Sequence, residues 1–362
     1  MARRFLAALG LVYLGAFLSL WPQLDGLVGS RGMLPVRETL AAVEEVHGAA
    51  RFLEFPTLCW WASSDTALDL LAGGGVLLSL LVVLGVARPV CLAGAWAVYL
   101  SLFTVGRDFL SFQWDTLLLE TGFPAILLAP RTLPARAPVW LLRWLLFRLM
   151  FASGLVKLTS GDSSWTDLTA LSYHWWTQPL PAWGGWQLAQ LPLWVQKAAC
   201  AGSLLVELVV PFLIFCGRRP RRVAFFAILA LQAGIAFAGN YGFFNVLTAV
   251  LCLVLLDDPA DPAPGRAPVA SPSLGSRRSV LRTLRRGSRA PHEPVPPAGQ
   301  TLAGEGPAPL PRRPVLLWVR RASLAPLLLL SCVVFAHGLR VAVPAPVRSA
   351  AAAVDPFRLA SP

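Results

Sequence analysis

The sequence predicts an all-α protein, a polytopic bundle of about eight or nine transmembrane helices with its N-terminus in the cytosol. Three observations lead there. Of 362 residues, 56% are hydrophobic and only 14% charged, where a soluble domain carries about 25% charged residues. Mean hydropathy is +0.61, and the apolar residues gather in runs suited to crossing a bilayer. Finally, the excess of Lys and Arg over Asp and Glu, 31 − 19 = +12, falls largely between those runs. In a soluble chain such an excess would suggest nucleic acid. Between apolar runs it reads as loop charge that sets orientation, so the expected surroundings are a lipid bilayer and no nucleic acid.

Taken in order, the candidate spans are 5–21, 68–86, 89–106, 109–129, 139–158, 198–216, 222–239, 243–256 and 315–337. Several are shorter than the ~20 residues that a 30 Å hydrocarbon core asks for. The run 243–256 is the shortest and suits a re-entrant or bundle-packed helix. The first run resembles a signal peptide, with Arg3 and Arg4 before an apolar core, but Trp21-Pro22-Gln23 is a poor cleavage site, and the run is expected to stay as a span. Alternation from a cytosolic N-terminus places Arg88, Arg131, Arg136, the cluster Arg218, Arg219, Arg221 and Arg222, and the basic stretch after 256 on the cytosolic side. Each cytosolic loop then obeys the positive-inside rule. Arg31, Arg37 and Arg51 fall on the other side, among Asp25, Glu38, Glu44, Glu45 and Glu54.

Four segments follow: a membrane domain at 1–256, a linker at 257–314, a last span at 315–337 and a lumenal tail at 338–362. The linker is dense in Pro, Gly, Ser and Arg and carries too little apolar surface to order itself.

The chemistry is concentrated in 112–159. FQWDTLLLETGF (112–123) and RWLLFRLMFASGLVKLT (143–159) read as membrane-spanning, yet hold Asp115, Glu120, Arg143, Arg148 and Lys157. Each ionisable group in hydrocarbon costs at least ~2.5–3.5 kcal/mol, so these side chains are expected to pair, line a wet cavity or sit near an interface. Glu120 and Arg148 lie at similar depth on consecutive antiparallel spans, and pairing them is the least costly way to house both. Asp115 and Lys157 should lie nearer the lumenal surface, and Arg143 can snorkel toward the cytosol. The set reads as a structural brace. A transporter would show inverted repeats and broken helices, and neither is visible.

No catalytic constellation appears. The six cysteines form no CxxC and no Cys/His metal spacing. His174 lacks an assured titratable partner, and there is no nucleophile elbow, phosphate loop or HExxH. Neither metal nor cofactor is expected. The loop 159–197 is instead rich in aromatics: Tyr173, Trp175, Trp176, Trp183 and Trp186 stand near His174, Gln178 and Pro179. Such a group suits an aromatic belt at the headgroups or a recognition surface for apolar segments of a client protein.

Four ordered stretches, WDTLLLETGF (114–123), RWLLFRLMFASGLVKLTS (143–160), LTALSYHWWTQPLP (168–181) and GNYGFFNVLT (239–248), resemble the lipase maturation factor family, closest to its lipase maturation factor 2 branch. The likeness covers roughly 5–256, more weakly 315–359. It implies a multi-pass protein of the endoplasmic reticulum membrane that helps secretory proteins, lipases among them, reach their active fold. It implies no cofactor and no catalytic residue. The motif residues it carries over are Trp114, Asp115, Glu120, Arg143, Arg148, Lys157, Thr169, Tyr173, His174, Gln178, Pro179, Asn240, Tyr241 and Asn245. Trp176 stands where the family usually has an acid. The ending VDPFRLASP falls about where the family's soluble lumenal domain would start, which suggests a C-terminally truncated form. The rival is a membrane enzyme distantly similar to vitamin K-dependent carboxylases, with Lys157 or His174 as base beside a lipid-soluble cofactor.

Overall fold

The structure is a computed structural model, and residues 2–130, 135–256 and 331–333 are described. The linker 257–314, the tail 338–362 and all of the last candidate span except 331–333 lie outside the described residues.

The described chain is helical, with one isolated antiparallel bridge between Pro181 and Gly239. Its first half runs through α1 (Ala2–Leu20), the single turn α2 (Leu24–Leu27), α3 (Val36–His47), the turn α4 (Arg51–Glu54), α5 (Asp65–Leu84), α6 (Arg88–Gly106) and α7 (Gln113–Leu128). The second half holds α8 (Arg136–Thr159), the turn α9 (Ser163–Thr166), α10 (Ala170–Thr177), α11 (Trp183–Ala189), α12 (Leu193–Leu208), α13 (Arg218–Ala238) and α14 (Phe244–Cys252). Local chemistry sets several ends. The Ser64 side chain accepts from the Ala67 amide to open α5, and Gly85, at φ 87°, closes it by bonding back to Leu81 and Val82. Asp162 opens α9 by accepting from the Ser164 amide.

Among the described residues six helical stretches are long and apolar enough to cross a membrane: Ala2–Leu27, Asp65–Leu84, Arg88–Phe109, Arg136–Thr159, Leu193–Phe215 and Arg218–Ala238. Two further segments are shorter. The expected span 109–129 begins only at Gln113, because Arg107–Phe109 is a separate 3-10 turn. At 1.5 Å per residue α7 spans about 24 Å. The stretch Phe244–Leu255 reaches only about 18 Å, and it packs against α1, α7, α8 and α13. Leu247, Thr248, Leu251 and Cys252 are fully buried there, so this helix plugs the interior of the bundle.

The helices divide into two groups. In the first, α1, α5, α6 and α7 close around Tyr13, Phe17 and Tyr99, whose rings meet with centroids 5.4–6.3 Å apart. In the second, α7, α8, α12, α13 and α14 form a ring, each packed on the next and α14 back on α7.

Candidate functional site

The second ring borders a half-open cavity of about 1310 Å³. Its wall is chiefly apolar, Leu, Val, Ile and Ala of α7, α8, α12 and α13 being joined by Phe and Trp side chains. Of the acids and bases singled out in the sequence, Glu120, Arg148 and Lys157 line it.

Deepest are Glu120 on α7 and Arg148 on α8. Both are buried, and Arg148 Nη2 donates to Glu120 Oε2. About two and a half turns nearer the end of α8, Lys157 Nζ donates to both carboxylate oxygens of Glu207 on α12, at 2.5 Å each. Gly154 makes this contact possible. A Cβ there would stand 2.8 Å from Leu208 Cγ and 2.9 Å from Glu207 Cβ, so only glycine lets α12 come so close. The Lys157 ammonium also lies 4.9 Å from the centre of the Trp165 ring. Two acids and two bases on one wall therefore sum to no net charge.

Two members of the expected brace stand elsewhere. Asp115 belongs to the first group of helices, where it accepts a 2.5 Å hydrogen bond from the buried Tyr99 hydroxyl. Arg143, which can snorkel by its place in the sequence, is instead buried, and its Nε donates to the Val254 carbonyl at 3.1 Å. The segment after α14 supplies that carbonyl, so the guanidinium has a polar partner within the protein.

The α10 end of the cavity is closed by two sequence motifs folded onto one another. Gln178 Nε2 donates to the Ala238 carbonyl at 2.9 Å, Ala182 N to the same carbonyl at 3.1 Å, and Asn240 N to Leu180 O at 3.0 Å. The Tyr241 hydroxyl lies 3.0 Å from His174 Nε2 and donates to Gln178 Oε1 at 3.4 Å. The Asn240 side chain accepts from the Gly242 amide at 3.1 Å, holding the turn. Burial first, and the Lys157 charge second, hold the His174 pKa below its ordinary value, while burial raises that of Tyr241.

The remaining motif residues separate by exposure. Trp114 stacks on Phe112 with centroids 4.5 Å apart, at the cavity wall. Thr169 precedes α10, its hydroxyl 3.5 Å from Ser164 O. Asn245 is buried in α14. Trp175 is half-buried and lines the cavity, whereas Tyr173, Trp176 and Pro179 face outward. The two adjacent tryptophans thus do different things.

Sequence reasoning did not pair Lys157 with Glu207, Asp115 with Tyr99, or His174 with Tyr241. An isolated acid in an apolar run was the available signal for the first, since Glu207 needs a cation wherever it sits. Among the described residues no His, Cys, Asp or Glu cluster is arranged to hold a metal ion, and the described cysteines are free.

Fold and interior together define a multi-span helical membrane protein with a charge-balanced apolar chamber under an aromatic loop. Residues 1–261 match the model of the lipase maturation factor transmembrane domain, and the chain belongs to the lipase maturation factor family. It is 46% identical over 281 residues to lipase maturation factor 2 of Rattus norvegicus, covering 70% of this chain and 40% of that protein. To lipase maturation factor 2 of Homo sapiens it is 43% identical over 304 residues, 76% of this chain and 41% of that one. To lipase maturation factor 1 of Mus musculus it is 37% identical over 272 residues, 70% and 47% of the two. The chain thus spans under half the length of these relatives. No solved structure matches it.

Proposed function

We propose that this chain acts in the maturation of secretory proteins such as lipases, as a multi-pass protein of the endoplasmic reticulum membrane that assists folding or assembly and performs no chemistry itself. The family's name supports the lipase setting. In this reading the start of α1 and the turns before α6, α8 and α13 face the cytosol together with the linker 257–314, and the loops 22–67 and 159–197 and the segment 338–362 face the lumen.

The observation that carries the reading is the outward aromatic face of the 159–197 loop. Tyr173, Trp176, Trp183 and Trp186 are 56–80% exposed, although burying aromatic surface is strongly favourable. A partly folded client offers apolar patches of the same kind, and tryptophan and tyrosine are the residues that anchor such contacts. The Lys157–Glu207 pair joins the two helices that flank the loop, and Gln178 fixes its middle on the α13 terminus.

Trp176→Ser with Trp183→Ser should lower recovery of a co-expressed lipase while abundance and membrane insertion stay unchanged. A parallel fall in abundance would make the pair an interfacial belt, and no change in either would move client contact outside this loop. Orientation is tested separately. The chain has no Asn-x-Ser/Thr sequon, its asparagines being Asn240 and Asn245. Sequons engineered at 180–185 should be glycosylated and one at 300 should not, and the opposite pattern would invert the topology.

A further inference from the structure

In membrane bundles, small residues on helix faces usually let backbones approach closely, and Gly154 does this here. Gly202 on α12 and Gly234 on α13 do the opposite. Both line the cavity, and a Cβ on either would meet nothing within 4 Å. Ala152, Ala199, Ala227 and Ala230 extend the same lining. Here small side chains leave space open and bring nothing together.

A void of about 1310 Å³ is larger than the ~300–1,000 Å³ of ordinary small-molecule pockets. Left empty, its lining would forfeit dispersion contacts. Water is a poor filling, because each buried water needs about 2–4 polar partners. Most polar groups of the wall already have partners: Arg148 Nη2 with Glu120, Lys157 with Glu207, Ser153 with the Leu149 carbonyl, Ser203 with the Cys200 carbonyl, and His174 with Tyr241, while Arg148 Nη1 and Trp175 Nε1 are buried without one. The filling must therefore be chiefly apolar. It must also be uncharged, since the wall's four ionised groups cancel and a further buried charge would have no counter-ion. Only the α10 end offers hydroxyl, imidazole and ammonium groups together, at Tyr241, His174 and Lys157.

From this the geometry points to a binding site for an uncharged acyl lipid of the acylglycerol class. Its chains lie along α8, α12 and α13, and its hydroxyl and ester oxygens sit at the Tyr241–His174–Lys157 end. The inference stands on the cavity alone and does not depend on the client reading.

The test uses the full chain reconstituted in phosphatidylcholine vesicles that contain a diacylglycerol with a photoactivatable group in one acyl chain. Labelling should map to α8, α12 and α13 peptides and fall several-fold when unlabelled diacylglycerol, but not phosphatidic acid, is added in excess. The double variant Gly202→Leu/Gly234→Leu, which adds bulk to the lining where a Cβ meets nothing within 4 Å, should lose the labelling at unchanged thermal stability. Gly15→Leu, on an exposed site of α1 with nothing within 4 Å, should keep it. Equal labelling of the filled variant would overturn the site. Competition by phosphatidic acid as strong as by diacylglycerol would overturn the uncharged ligand. Should the filled variant misfold, the competition experiment on the native chain decides alone.

Discussion

The helices α1, α5, α6 and α7 and the ring α7–α8–α12–α13–α14 are built from the same amino acids to opposite ends. In the first group glycine removes a side chain so that two surfaces can touch. A Cβ on Gly10 would meet Val82 at 2.9 Å, and one on Gly122 would meet Trp96 at 2.8 Å as well as the Tyr13 hydroxyl. In the ring, Gly202 and Gly234 face open space. Polar groups differ likewise. Asp115 sits with Tyr99 in a knot of rings, whereas Glu120, Arg148, Lys157 and Glu207 cancel one another around a void. What this teaches is that a small or charged residue in an apolar helix has no fixed meaning. Its neighbours decide whether it packs or makes room.

The contrast can be broken at several points. The largest effect should come from the deepest pair. Arg148→Ala or Glu120→Ala leaves a buried charge uncompensated, and each should cost about 3–5 kcal/mol. Steady-state abundance and thermal unfolding in detergent would show it, with the double variant recovering in part. Single variants of normal stability would mean that the pair does not brace the ring.

Next come the glycines. Gly122→Val should cost about 1–3 kcal/mol by overpacking. Gly234→Ala should be neutral or should stabilise by up to about 1 kcal/mol through helix propensity. Equal losses at both sites would erase the distinction between the two halves. A comparable loss of about 1–3 kcal/mol is expected for Tyr99→Phe, because the Asp115 carboxyl then keeps no side-chain partner from α6. The cavity should be untouched by that change, so lipid labelling would stay at the native level.

The smallest effect concerns pH. Above the ordinary histidine value near 6.5, His174 is neutral both docked and released. Below it the released loop takes up the proton first, because burial and Lys157 hold the docked pKa down. Docking of α10 on the 239–242 turn should therefore weaken as the pH falls below about 6.5. Hydrogen exchange at the Ala182 and Asn240 amides reads this directly, and His174→Gln should remove the pH dependence. Unchanged protection at lower pH would show that His174 does not set the docking.

Much of this was legible in the sequence. Composition and run length dictate a helical membrane bundle, because hydrocarbon requires backbone groups to be satisfied within each segment. Glu120 and Arg148 could be matched in depth because their helices are consecutive, so counting residues from the intervening loop was enough. Lys157 looked interfacial from its place two residues before the end of α8. Only the packed structure shows its long stem reaching to Glu207, fifty residues on, through the gap that Gly154 leaves. The partner of Arg143 was out of reach for the same kind of reason, since its carbonyl comes from Val254, 111 residues away.

The sequence by itself determined the class of protein, the order of its apolar helices and the presence of buried charge that needs partners. Those properties are local, or follow from neighbouring segments of the chain. The tertiary structure alone decided which charges meet, that HWWTQP and GNYG close one end of a chamber, and that Trp175 turns inward while Trp176 turns out. It alone decided that Gly202 and Gly234 border empty space. A cavity is defined by atoms from α7, α8, α12 and α13 at once, and no single helix records the absence of side chains on the others.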